Sequence, residues 1–119
     1  MSKPIRIQRM RTPGWRMPPN TIYVGRPTIF GNDYRIGHDR DGWWCWVEGG
    51  GGMQRLATEA DARFYACTRF RLGLTRTLVE TAKQRVRGHN LACWCCRAPA
   101  GTRPIHWCHA DIWLEIVNG

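Results

Sequence analysis

The chain has 119 residues, 43% hydrophobic and 23% charged, a balance that suits one folded core and excludes a disordered polyelectrolyte. No apolar run approaches the roughly 20 residues needed to span a bilayer, and residues 1–11 carry no apolar leader segment, so no membrane contact and a cytoplasmic location are predicted. The formal net charge is +9, carried far more by Arg than by Lys, which favours a polyanionic partner: nucleic acid or a phosphorylated small molecule.

Ile5 and Ile7 alternate with polar neighbours over residues 4–10 and predict a first strand. Residues 11–20, R-T-P-G-W-R-M-P-P-N, cannot be regular, and Trp15 and Met17 favour an ordered loop. Residues 21–25 are β-branched and aromatic and predict a second strand; the following loop ends in Gly31-Asn32, a pair suited to a tight turn. Residues 34–37 and 42–47 flank H-D-R-D-G, a hairpin signal at Asp41-Gly42. In W-W-C-W-V, Trp43, Cys45 and Val47 share one face and Trp44 and Trp46 the other. Such a strand is central or partnered on one face, with at least two of its tryptophans in the core. Residues 39–52 read as a Trp/Gly-rich hairpin and flexible loop inserted in the domain.

Thr58 caps a helix over residues 58–74, with Glu59 and Asp61 in its first turn and Ala60, Phe64, Cys67 and Arg71 on one stripe, broadened by Phe70 and Leu74. Thr75 caps a second helix over residues 76–87, with Leu78, Val79, Ala82 and Val86 inward and Gly88 at its end. Residues 90–95 form a short buried strand. A final helix over residues 111–118 is apolar all round and should be largely buried. The order predicts an α/β or α+β fold: one small mixed sheet with an inserted hairpin and about three helices, a single layered domain over residues 1–119.

Cysteines cluster near the C-terminal end. Cys93, Cys95 and Cys96 leave the late strand, a loop with Pro99 and Gly101 follows, and Cys108, His109 and Asp111 open the final helix. Cys45 and Cys67 read as core residues. In a cytoplasmic chain such clustering points to metal binding or reactivity rather than disulfides. Cys93 and Cys95 stand at i and i+2, so a strand turns them to one face. Cys108 closes the site from the helix, and His109 or His106 supplies a fourth ligand for zinc. The spacing C-x-C-x12-C-H is not a common zinc-finger frame. A nucleophilic reading competes: Cys108 at a helix N-terminus near His and Arg would have a lowered pKa, with His109 as base and Asp111 either orienting it or stabilising the helix start. Buried thiols used as small hydrophobes are the plain alternative, above all for Cys93. No phosphate loop, dinucleotide fingerprint, H-E-x-x-H or deaminase motif occurs.

Two blocks carry a resemblance. Residues 11–32 hold R-T-P-G-W-R-M-P-P-N and V-G-R-P-T-I-F-G-N; residues 87–115 hold L-A-C-W-C and C-H-A-D-I-W-L-E. Together the chain resembles an uncharacterised bacterial and bacteriophage domain family, a numbered domain of unknown function (DUF4326-like). It departs from that pattern at Asp33, where proline is usual, at Cys96, an added thiol, and in the Trp- and Gly-rich residues 34–52. The resemblance implies that Arg16, Arg26, Gly31 and Asn32 belong to the family's site with Cys93, Cys95, Cys108, His109 and Asp111. It implies no activity, and suggests a phage-encoded or phage-derived protein, acting in the host cytoplasm. If the early strands lie parallel to the late one, both blocks converge at one sheet edge. Salt bridges from Arg26 to Asp111 or Glu115, and turn geometry at Asn32, are the plain structural roles for those residues.

Three functions follow as expectations. The first is a small basic domain that binds a nucleotide or nucleic acid, with a Cys/His cluster holding zinc. The second is an enzyme acting on nucleotides or modified bases through Cys108 or His109. The third is a phage protein that binds a host factor through the Trp-rich hairpin.

Overall fold

A computed structural model describes residues 3–48, 52–95 and 107–119. In chain order the elements are β1 (Arg6–Gln8), β2 (Thr21–Tyr23), β3 (Arg35–Asp39), β4 (Gly42–Trp46), β5 (Met53–Leu56), α1 (Glu59–Leu72), α2 (Arg76–Arg85), β6 (Asn90–Cys93) and α3 (His109–Asn118). The result is a mixed α/β fold with two separate three-stranded sheets rather than one.

The first sheet is parallel, in the order β1-β6-β2. The strand that arrives last sits in the middle: Leu91 lies between Arg6 and Ile22, and Cys93 stands opposite Gln8. Leu91, Ala92 and Cys93 are buried, as a strand flanked on both edges and covered by a helix should be. The early strands are parallel to the late one, and the late strand is central rather than at an edge.

The second sheet is an antiparallel meander, β3-β4-β5. Arg40-Asp41 makes the first turn, one residue before the expected Asp41-Gly42, and Gly42 opens β4 opposite Asp39 at a φ of 116° that a side chain would strain. Strand β5, Met-Gln-Arg-Leu, was not expected, because it is polar and lacks β-branched residues. The supposed insertion thus supplies the middle strand of a sheet that runs on beyond residue 52. Cys45 is buried on the face that also carries Ile36, while Trp44 and Trp46 lie on the other. The Trp44 indole lies across Gly37, where no side chain would fit. None of the three tryptophans is in the buried core: Trp43 and Trp44 are half-buried and Trp46 is exposed. Trp44 stands between Gly37 and Arg55, Trp43 between His38 and Leu56, and Trp46 between Arg35 and Met53, so the indoles cover a mixed sheet surface instead of filling a second core.

Thr58 and Thr75 cap α1 and α2, accepting from the backbone N–H of Asp61 and Leu78. The buried stripe of α1 is Ala62, Ala66, Cys67 and Phe70, whereas Phe64 is 58% exposed. The small alanines let the helix sit close to both the meander and α3; of the expected stripe Cys67 and Phe70 are buried and Ala60 half-buried, while Phe64 and Arg71 are turned out. Helix α3 starts two residues earlier than expected and is buried along His109, Ala110, Ile112, Trp113 and Val117. Trp113 is the centre of the core. Its indole N–H donates to the Phe30 carbonyl at 2.8 Å, and its ring meets Phe30 and Phe70 edge-on.

Candidate metal centre and cleft

Strand β6 ends at Cys93, and the chain carries straight on through Trp94 to Cys95. Cys108 is the N-cap residue of α3. Because α3 packs on β6, the helix start faces the strand end, and the sulfurs of Cys93, Cys95 and Cys108 come within 4.8 Å of one another. The Cys93 and Cys108 sulfurs are 3.2 Å apart. All three are free thiols. Cys96 and His106 lie outside the described residues.

The surroundings set the three thiols apart, raising Cys93 and Cys108 and lowering Cys95. Hydrogen bonds with Cys108 and Cys93 hold the Cys95 thiol far below its usual value, with help from the Arg63 charge and against the pull of burial. Hydrogen bonds with Cys93 and Cys95, and then burial, push Cys108 well up. The low-pKa thiol expected at the helix start is therefore Cys95, the least buried of the three, and not Cys108. Cys67, a neighbour in the wall, is pushed up to about 12 by burial and stays a plain core thiol.

His109 is buried, and burial keeps its ring neutral. Its Nε2 lies 2.9 Å from the Val24 carbonyl, which can only accept, so Nε2 carries the proton. Nδ1 then turns its lone pair toward Cys108 Sγ, 3.5 Å away. A backbone carbonyl on one ring nitrogen with the other left bare is how ligating histidines are commonly held. The three-thiol group does not itself include His109.

Asp111 works at the helix start. Its Oδ2 accepts from the backbone N–H groups of Trp107 and Cys108 at 3.2 Å each, and Oδ1 lies 3.5 Å from Arg6 Nε. Among the two roles weighed for it, this is the stabilising one. Arg6 was not anticipated. From β1 it donates to the Cys95 carbonyl at 2.7 Å and toward Cys93 Sγ at 3.5 Å, so it ties the strand end to the helix start. Nothing in the sequence around Arg6 marks it out; only the parallel register of β1 on β6 does.

The cluster lies in the wall of a cleft of about 340 Å³. Arg26, Arg35 and Arg63 line it, as do Tyr23, Tyr34, Trp94 and Trp107. Arg63 stacks on Trp107 at 4.5 Å and pairs with Glu59 at 2.9 Å. Arg26 and Arg35 have no carboxylate partner among the described residues; Asp111 and Glu115 pair instead with Arg6 and Arg71. The Trp107 indole N–H is buried without an acceptor among the described residues. Asn32 lines the cleft too, but its side chain donates to the Ala66 carbonyl and accepts from Tyr34 N–H, pinning the loop to α1. Gly31 stands behind it against the Arg26 backbone, where a Cβ would come within 2.9 Å of Arg26 N. Arg16 is exposed in the preceding loop and does not line the cleft. The structure thus brings Arg26 and Asn32 to the thiols and leaves Arg16 apart. Arg35, Arg63 and Tyr34 were missed because they come from the meander and α1, between the two blocks.

A mixed α/β domain with a thiol cluster at the C-terminal end of its central parallel strand is the class that fold and site define. Residues 7–119 match the family described as Domain of unknown function (DUF4326), and the chain belongs to it. No curated protein and no solved structure matches the chain. No described helix is long and apolar enough to cross a membrane.

Proposed function

We propose that the domain binds a nucleotide or nucleic acid in this cleft, with zinc held beside it by Cys93, Cys95 and Cys108 and completed by His109 Nδ1. The observation that carries the reading is that one cleft is lined by three clustered thiols, by two arginines with no acid among the described residues, and by four aromatic rings. Soft thiolates and imidazole suit zinc. Sulfurs at about 2.3 Å from a tetrahedral ion stand about 3.8 Å apart, so the thiols need only small shifts to close on it. Arginine forks suit phosphate oxygens, and aromatic faces suit bases. An acceptor on a bound nucleotide would satisfy the Trp107 N–H, whose burial alone costs about 1–3 kcal/mol.

Elemental mass spectrometry on protein purified under reducing conditions should find about one zinc per chain, the stoichiometry of a single tetrahedral site. Labelled nucleotides and oligonucleotides should bind at low salt, and Arg26→Gln with Arg35→Gln should abolish that binding while zinc stays. Absence of metal together with absence of binding at low salt would sink both halves. A second reading has its own observation: Cys95 is the most accessible cluster thiol and lies in the cleft wall. Rapid alkylation of Cys95 without chelator, in metal-free protein, would favour a cysteine-dependent enzyme on nucleotides or modified bases instead.

A further inference from the structure

Outside the thiol cluster, the mouth of the cleft continues into a stack of cations and rings. Tyr23 and Trp94, both in the cleft wall, share Arg9, whose guanidinium carbon lies 4.8 Å from each ring centre. Arg11 lies 4.5 Å from the same Trp94 ring. Trp94 is 40% exposed. Neither Arg9 nor Arg11 has a carboxylate partner among the described residues, although two guanidiniums on one indole repel each other. A guanidinium laid on a ring keeps its N–H edge for other acceptors. An anion bridging the two edges would relieve the repulsion, and the rings beside them give flat surfaces for bases. The backbone here is held independently of those side chains, since Arg9 N–H donates to the Cys93 carbonyl at 2.7 Å.

We infer that the ligand is single-stranded nucleic acid: one nucleotide enters the cleft, and its neighbours run out over Trp94 with their phosphates on Arg9 and Arg11. The inference rests on the cleft reading above and extends it. A cleft of about 340 Å³ is at the small end of ligand sites and suits one nucleotide rather than a duplex. Interleaved arginines and aromatic rings are how proteins hold unpaired strands, because every base has a face to stack. An acidic protein segment would meet the same charge but brings no bases to stack on the rings.

The test is fluorescence anisotropy with labelled 15-mers of deoxythymidine and of uridine, a duplex of equal length, a mononucleotide, and polyglutamate as competitor. Single strands should bind at least tenfold tighter than the duplex or the mononucleotide, and polyglutamate should compete poorly; the two 15-mers report which sugar is preferred. Arg9→Gln with Arg11→Gln should flatten the salt dependence by about 1.4 in slope, two contacts at about 0.7 each. It should leave zinc content unchanged. Arg11→Gln alone, which touches only Trp94, should lose about half of that slope. Mononucleotide binding with no gain from a longer strand overturns this inference and spares the cleft reading; no binding of either overturns both. Equal affinity for duplex, equal competition by polyglutamate, or an unchanged salt slope in the double variant also overturns it.

Discussion

Single side chains decide how the two ends of the site meet. Asp111 accepts from two backbone N–H groups at the start of α3 and faces Arg6 from the opposite element. Asp111→Ala should therefore lower stability by about 0.5–2 kcal/mol, the cost of losing a helix-start cap, measured as a shift in the denaturant midpoint. A loss well above that range would mean that Arg6 depends on the carboxylate to hold Cys95. His109 shows the same economy of means. One carbonyl, from Val24 at the end of β2, sets which nitrogen keeps its proton and so which one faces the thiols. That selection was invisible in the sequence, where His109 and His106 were alternative ligands and Val24 was only an apolar residue.

At the scale of elements, the helices were the most legible. Thr58 and Thr75 announce α1 and α2, and Gly88, with its φ of 82°, follows the end of α2. Strand β5 was not legible, because its pairing comes from its position beside β4 and not from its own residues. The meander has an electrostatic tie of its own. Arg55 in β5 forks onto Asp39 at the end of β3, with contacts of 2.7 and 3.0 Å spanning β4. That hydrogen-bonded arginine, aided by the Asp41 N–H, holds the Asp39 carboxyl below its ordinary 3.8. The folded state thus takes up the proton later than the unfolded chain. The tie contributes in full above the ordinary aspartate value and fades as pH falls through the lower folded one. An NMR titration should place the Asp39 midpoint below 3.8, and Arg55→Gln should return it to the ordinary range. An unmoved midpoint would show that the fork does not persist in solution.

Over the whole molecule, one residue joins the parts. Trp113 is fully buried between Phe30 and Phe70. Trp113→Ala should cost about 3–5 kcal/mol, enough to bring a domain of this size close to unfolding, and denaturant titration would read it directly. A cost under about 1 kcal/mol would mean that the core relaxes to fill the space. The convergence of Cys93, Cys95 and Cys108 was legible because strand alternation and a helix start are local rules. The cleft around it was not, since Arg35 and Arg63 reach it only through the packing of the meander and α1. The order of the parallel sheet has a consequence in time. Strands β1 and β2 pair only with β6, and Arg6 waits for Leu91, 85 positions later. During synthesis at about 5–20 residues per second, the first strands leave the ribosome seconds before their partner exists. Cys93 and Cys95 arrive with that partner and Cys108 follows 15 positions after Cys93, so the sheet and the thiol cluster are both completed late, and a nascent chain halted short of β6 holds neither.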